Sequence, residues 1–526
     1  MTISHASLSP KDDPDRALLS LSLGPVQGFI AAARSLRDLR TGSVLLSKLI
    51  YEAMEPVRDS LIFPKLGNDP VADEWGGLPN RFLAWVPWGR NGETARQLGE
   101  ACEMAARQAW QKLANAVRRK LDPQLKQLCP EWGRRWEEQI ATLPEVFWVA
   151  VPRAELTVAE LTRLGCPPDD DLLLARIEAV GRIADAARLV RPVPVLPMRE
   201  GEHHPPKCSI LGSFDQMGPA AFRESSQFWQ DVAQRKVPLP GVRIRKGERL
   251  CAISLVKRFA DTLGGKMARF PDTGTLAAAQ WLRNAGIDPN HHHPWNGLWL
   301  FDGEDDDDPC PRELRQEIQN ARQSHGAPPA YYAILVADGD NMSDWLTGRK
   351  KLHRDEAPPG GQTLHARISG ALRHFATVLA PEILHDRCST LVYAGGDDVL
   401  ALLPVGTALE AALALRTEFS TKEVMGEEAT LSAGLAIVHY GMTDRWAYQL
   451  RAEAPAFDGL APEMTVAELR RLLRRRIGDG NVTEADVNTL STLFGNHIRW
   501  LATSTPATDV AVLAQSASFL ARGRDR

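Results

Sequence analysis

Apolar and polar positions along the chain describe one pattern, met twice. In its clearer copy, Tyr332–Ala337 (YAILVA) is a continuous apolar run of strand length, followed by the turn Asp338-Gly339-Asp340-Asn341. Residues 362–380 carry helical periodicity. Ser389–Ala394 (STLVYA) reads as a strand, Gly395-Gly396-Asp397-Asp398 as a tight turn, and Val399–Leu403 as the returning strand. Residues 407–420 predict a helix and Thr430–Val438 a closing strand. The order is βαββαβ, the ferredoxin-like arrangement.

The first part of the chain repeats that order more loosely. Strands are expected at Ala17–Leu23, Ser60–Phe63, Arg81–Val86 and Glu145–Val151, with helix over most of 27–54 and 92–142. The repetition is of shape and not of sequence. Where the later copy has Asp-Gly-Asp after its first strand, the earlier one has Gly24-Pro25, and it lacks a Gly-Gly-Asp-Asp turn. The expected fold class is therefore α+β. It has a first palm-like domain without carboxylates at 1–155, a middle domain at 156–305, a second palm at 306–455 and a helical domain at 456–526. The middle stretch is Pro-rich and reads as partly irregular, and its acidic run Glu304–Asp308 reads as a solvated linker. Thr465 and Glu468 suit a capping box at the start of a helix that carries the Arg-rich stretch 470–476.

Composition narrows the setting. The chain has 526 residues, 44% hydrophobic and 24% charged, which suits a globular chain of about three or four domains. No apolar run approaches the length of a membrane span, and the polar, acidic start lacks a signal-peptide layout. Seven cysteines lie scattered without framework spacing, which fits a reducing, cytoplasmic setting. A formal charge of −4 gives no global basic field, so contact with nucleic acid must be local or shared with partner subunits.

The carboxylates suggest chemistry. Asp338 ends a strand, and Asp397 and Asp398 sit in a hairpin turn. In a βαββαβ sheet the first and third strands are neighbours, so strand end and hairpin tip can meet. Three converging carboxylates repel one another unless a cation joins them. Mg²⁺ or Mn²⁺ prefers such oxygen ligands. Two ions about 4 Å apart can activate a 3′-hydroxyl and steady a leaving pyrophosphate. Gly395 and Gly396 permit a tight turn and close approach of a phosphate, and Gly339 and Asp340 line the other turn. Alternation puts Asp340 on the face of Asp338, unless it simply holds the turn. The plainer reading is a surface hairpin with acidic turn residues. No Walker A motif is present, since Gly264-Gly265-Lys266-Met267 lacks the spacing, and no G-x-G-x-x-G occurs. A nucleotide would be held by metal and palm surface.

At these residues the chain resembles the large subunit of type III CRISPR effector complexes, closest to the type III-B (Cmr-type) form. The resemblance rests on SLGPVQGFIAAARSLRDLRTGSVLLSKLI (22–50), FPKLGNDP (63–70), LPNRFLAWVP (78–87), GERLCAISLVKRF (247–259), VADGDNM (336–342), YAGGDDVLALLP (393–404) and LSAGLAIVHY (431–440). The resemblance implies conversion of ATP into cyclic oligoadenylate when target RNA binds, by 3′–5′ phosphodiester formation at two metal ions. It implies Asp338, Asp397 and Asp398 as metal ligands, Ser43 as a nucleotide-facing residue, and two ATP molecules between two palms. It also implies partners: other Cmr-type subunits, with residues 470–476 as a docking surface, a guide RNA and a target RNA.

The chain departs from the family pattern in three places. Many members begin with an HD-type nuclease domain. Here the first palm starts almost at once, and the only His-Asp pair, His385-Asp386, reads as a loop pair, so no HD nuclease activity is expected. The family's zinc-binding CxxC pairs read Cys208-Ser-Ile-Leu211 and Cys251-Ala-Ile-Ser254. His203 and His204 could substitute, but four-coordinate zinc needs four good ligands, which favours a metal-free, degenerate zinc-finger-like middle domain. The helix WAYQLRAEA after the second palm stops at Pro455. The alternative to an enzyme is a catalytically idle scaffold for complex assembly and RNA positioning. A stand-alone diguanylate-cyclase-like enzyme would leave the other matched stretches without a place.

Overall fold

The computed structural model describes residues 15–66, 78–167, 172–189, 205–237, 239, 244–260, 270–292, 295–301, 310–350, 361–421, 424–426 and 428–441. The expected C-terminal helices with Thr465, Glu468 and 470–476, the helix before Pro455, the run Glu304–Asp308, His203, His204 and Gly264–Met267 lie outside these residues. The chain divides into two compact units. The first comprises Met1–Phe29, Thr41–Ala268 and Asn341–Arg373, and the second Ile30–Arg40, Arg269–Asp340 and His374–Arg526.

The first unit holds a four-stranded antiparallel sheet of β1 (Arg16–Gly24), β2 (Leu61–Phe63), β3 (Arg81–Pro87) and β4 (Glu145–Pro152), ordered β2-β3-β1-β4. Central β1 is buried on both faces because helices cover both. Leu173 and Val180 of helix Leu173–Leu189 cluster with Leu18, Ile62, Leu83 and Val151 on one side. On the other, Trp148 of β4 lies against Gly99 of helix Glu93–Leu125 and donates from Nε1 to Glu103 Oε2 at 3.3 Å. The expected helix over 27–54 divides into Gln27–Ala31 and Leu36–Met54, and that over 92–142 into Glu93–Leu125 and Trp132–Ile140.

The second unit repeats the topology with β5 (Tyr331–Gly339), β6 (Thr390–Gly395), β7 (Asp398–Pro404) and β8 (Leu431–His439), ordered β6-β7-β5-β8. Both sheets thus have the ferredoxin-like order expected from the βαββαβ pattern, and the α+β class stands. β1, β5 and β7 extend one or two residues beyond the expected runs at each end, because ladder hydrogen bonds continue where apolar character stops.

The middle stretch, expected to be partly irregular, contains helices at Leu173–Leu189, Phe222–Ala233 and Ala252–Phe259, the last buried along its whole length. None of its prolines falls within these three helices. His385-Asp386 differs from expectation. It closes helix Ala380–Asp386, with His385 Nδ1 3.9 Å from Asp386 Oδ1 and both side chains exposed.

Candidate active site

The candidate site stands at one end of the second sheet. Its centre is β5, which pairs with β7 on one side and β8 on the other. Tyr332, Ala333, Ile334, Leu335 and Ala337 are buried, and the strand reaches solvent at Asp338, whose side chain is exposed. The β5–β7 register runs Val336 opposite Leu400 and Ala337 opposite Val399. Beyond that last pair, Asp338 ends β5 opposite Ser432 of β8 and Asp398 opens β7 opposite Gly395 of β6, so both lie at the same end of the sheet.

Asp397 occupies the turn beside them. Gly395 pairs with Asp398, leaving Gly396 and Asp397 as a two-residue loop. Gly396 has φ +84° and Asp397 does not share the left-handed region, the pattern of a II′ hairpin with glycine first. Among the described residues no group of three or more His, Cys, Asp or Glu side chains is gathered to hold a metal. The sheet end therefore carries two carboxylates with a third in the adjoining turn, but does not draw the three into a closed ligand set.

Tyr393 was not foreseen. Residues 393 and 395 share a face of β6, and the phenol folds back over Gly395 so tightly that a Cβ there would lie 1.5 Å from its oxygen. Burial, then the charges of Asp398 and Asp397, pushes the phenol above its ordinary range. Tyr393 is thereby kept a neutral O–H at neutral pH, close to both turn carboxylates. The available signal was the alternation that puts Tyr393 and Gly395 on one face.

Asp340 is placed differently from Asp338. Thr430 Oγ1 donates to Asp340 Oδ2 at 2.6 Å and Ser432 Oγ to Asp340 Oδ1 at 2.7 Å. The Asp340 N–H also donates to Thr430 O at 2.9 Å. This carboxylate fastens the turn to the start of β8, the second of the two roles its position allowed. Gly339 is buried and pairs with Leu431. Ser43 belongs to the other unit, where it is buried on helix Leu36–Met54.

In the middle stretch the cysteines of the two altered CxxC pairs come together. Cys208 Sγ lies 3.4 Å and Cys251 Sγ 3.3 Å from Ser254 Oγ, and the Leu211 N–H donates to Cys208 Sγ at 3.4 Å. The two cysteines thus converge on the hydroxyl of Ser254, which stands at a third of the four positions named from sequence.

Comparison with known proteins finds relatives for two stretches of the chain. Residues 331–452 match the model of the Cas10/Cmr2 second palm domain, and residues 18–115 that of the N-terminal region of the CRISPR-associated protein Cmr2. The "CRISPR system Cmr subunit Cmr2" of Pyrococcus furiosus is 26% identical over 532 residues, covering 83% of this chain and 58% of that protein. The chain is similar to Cas10/Cmr2 proteins in both matched stretches. It spans little more than half the length of this curated relative. Two solved structures share the fold. A cryo-EM structure of a type III-B Cmr-β complex in its apo state is similar at a TM-score of 0.55 and 14% identity, covering 82% of this chain and 66% of that one. One of Cmr-β bound to cognate target RNA is similar at 0.52 and 14% identity, covering 82% and 67%. The candidate carboxylates lie within the stretch matched to the second palm domain. Among the described residues, no helix is long and apolar enough to cross a membrane.

Proposed function

We propose that this chain is the large subunit of a cytoplasmic type III-B CRISPR effector and joins ATP molecules into cyclic oligoadenylate when target RNA is bound. The observation that supports this reading is that Asp338 and Asp398 lie at one end of the sheet, with Asp397 in the adjoining turn, in a stretch that matches the Cas10/Cmr2 second palm domain. These three carboxylates would hold two Mg²⁺ or Mn²⁺ ions, oxygen ligands suiting hard cations. Bound there, such ions lower the pKa of a ribose 3′-hydroxyl and stabilise the charge of a leaving pyrophosphate. The backbone at Gly395 and Gly396, bare of Cβ atoms, admits a phosphate close to the turn. Tyr393 presents a neutral O–H beside the turn carboxylates, and Asp340 holds the β5 turn in place. Ser43 enters the proposal as a further nucleotide-contacting residue. The resemblance of the fold to Cmr-β complexes supports partners of the same kind: other Cmr-type subunits, a guide RNA and a target RNA.

A second reading is an idle palm kept for assembly and RNA positioning. The carboxylates' failure to gather into a three-ligand set favours it. Calorimetric titration of the full chain with Mn²⁺ and a non-hydrolysable ATP analogue separates the two. Analogue binding that requires Mn²⁺, and falls at least tenfold in Asp338→Asn and Asp398→Asn chains, supports the enzyme. Binding that ignores Mn²⁺ and both substitutions supports the scaffold.

A further inference from the structure

The two buried cysteines of the middle stretch sit where neither the palm chemistry nor the sheets need them. Their backbones are held side by side. The Ser209 N–H donates to Arg249 O at 2.8 Å, the Arg249 N–H to Ser209 Oγ at 3.1 Å, and the Met217 N–H to Leu250 O at 2.8 Å. These bonds clamp the segment carrying Cys208 along the segment that leads into Cys251. Cys251 is the N-cap of helix Ala252–Phe259, its sulfur accepting from the Ser254 N–H at 3.4 Å. Both sulfurs meet the Ser254 hydroxyl, Cys208 at 3.4 Å and Cys251 at 3.3 Å. Two thiols from separate segments are therefore presented to each other on rigid backbone, one of them at the positive end of a helix.

We propose that Cys208 and Cys251 are a redox-active dithiol that closes to a disulfide, with a hydroperoxide as the oxidant. In the first step the Cys208 thiolate attacks the outer peroxide oxygen. The O–O bond breaks, Cys208 becomes a sulfenic acid, and the departing alkoxide or hydroxide takes a proton. The Cys251 sulfur then attacks the sulfenic sulfur, the S–S bond forms, the S–O bond breaks and water leaves. Overall the two thiols surrender two electrons and two protons, and the peroxide is reduced to an alcohol, or water, plus water. Burial opposes ionisation of Cys208, but hydrogen bonds from Cys251, Ser254 and the Leu211 and Ile210 amides outweigh it and lower its pKa. Burial, with the neighbouring Cys208, raises that of Cys251. The attacking and resolving roles follow from that asymmetry. Cytosolic disulfides are usually transient and sensing, which suits a bond that reductant reverses.

Peptide mapping of the full-length chain tests this. The reduced chain is exposed to hydrogen peroxide, denatured in N-ethylmaleimide, digested without reductant and weighed. The expected product is a Cys208–Cys251 linked peptide pair lighter by two hydrogens, abolished by dithiothreitol. Cys102 and Cys129, whose buried thiols are pushed up to about 12, provide the internal control and stay alkylatable. In a Cys251→Ser chain, dimedone should instead trap the sulfenic acid on Cys208. Alkylation of both Cys208 and Cys251 after peroxide, to the same extent as the controls, overturns the proposal. So does one zinc per chain that shields the pair from peroxide until a chelator removes it.

Discussion

At the scale of single residues, the candidate site depends on what its glycines leave room for. A Cβ at position 395 would meet Tyr393 Oη at 1.5 Å and Cζ at 2.0 Å. No rotamer adjustment of a few tenths of an ångström relieves that, so Gly395→Ala should cost at least about 1–3 kcal/mol, the usual range for overpacking. A Tyr393→Ala change in the same chain should recover most of the loss. Denaturant midpoints of the four chains in a double-mutant cycle give the coupling directly. Asp340 makes a separate prediction. Removing an acceptor of two hydroxyl hydrogen bonds in Asp340→Ala should lower stability by about 1 kcal/mol, with Asp340→Asn recovering part of it. A role in holding nucleotide instead would show as weaker ATP-analogue binding without that stability loss. Asp338, Asp397 and Asp398 could be found from the sequence because strand ends and hairpin tips follow from apolar runs and glycines. Tyr393 offered only its alternation with Gly395, and the Thr430–Ser432 clamp offered no signal, because it depends on which side chains the sheet register brings together.

At the scale of elements, helix Ala252–Phe259 shows how buried polar groups are managed. The Arg258 guanidinium meets Glu248 in two bonds, 2.8 Å from Oε2 and 3.0 Å from Oε1, with side-chain exposures of 3% and 0%. The Arg245 N–H adds a donor to Oε2 at 2.8 Å. Breaking such a pair strands a buried carboxylate. Arg258→Met is therefore expected to cost about 3–5 kcal/mol in thermal or urea unfolding, whereas Glu248→Leu with Arg258→Met should be far milder. A milder single than double replacement would contradict this. The two sheets were legible because β1 and β5 are long apolar runs bounded by turn residues, whereas helix ends were blurred at Ala31 and Leu125 by residues that favour helix on both sides of the break.

At the scale of the whole molecule, one buried histidine should make stability depend on pH. His365 is 2% exposed, and burial lowers its pKa to about 4, offset in part by the Leu346 backbone. Its unfolded value is near 6.5, so between these values the unfolded chain binds the proton and the folded chain does not. The stabilisation is complete above about pH 6.5 and is lost as pH falls towards 4, amounting to about 3 kcal/mol at 1.36 kcal/mol per unit. His365→Gln should flatten that segment of the pH–stability curve. The shape repeat, with carboxylates in one copy only, was legible in the chain, since periodicity and turn residues are local properties. How closely Asp338, Asp397 and Asp398 gather was not, because that depends on side-chain positions at a solvent-facing sheet end. The claim that these aspartates perform chemistry is tested most directly in a complex reconstituted with guide RNA, target RNA, Mg²⁺ or Mn²⁺ and radiolabelled ATP. The account predicts cyclic 3′–5′-linked oligoadenylate with matching pyrophosphate release, abolished in the Asp397→Ala/Asp398→Ala chain. Product from the native complex no greater than from that double mutant would contradict it.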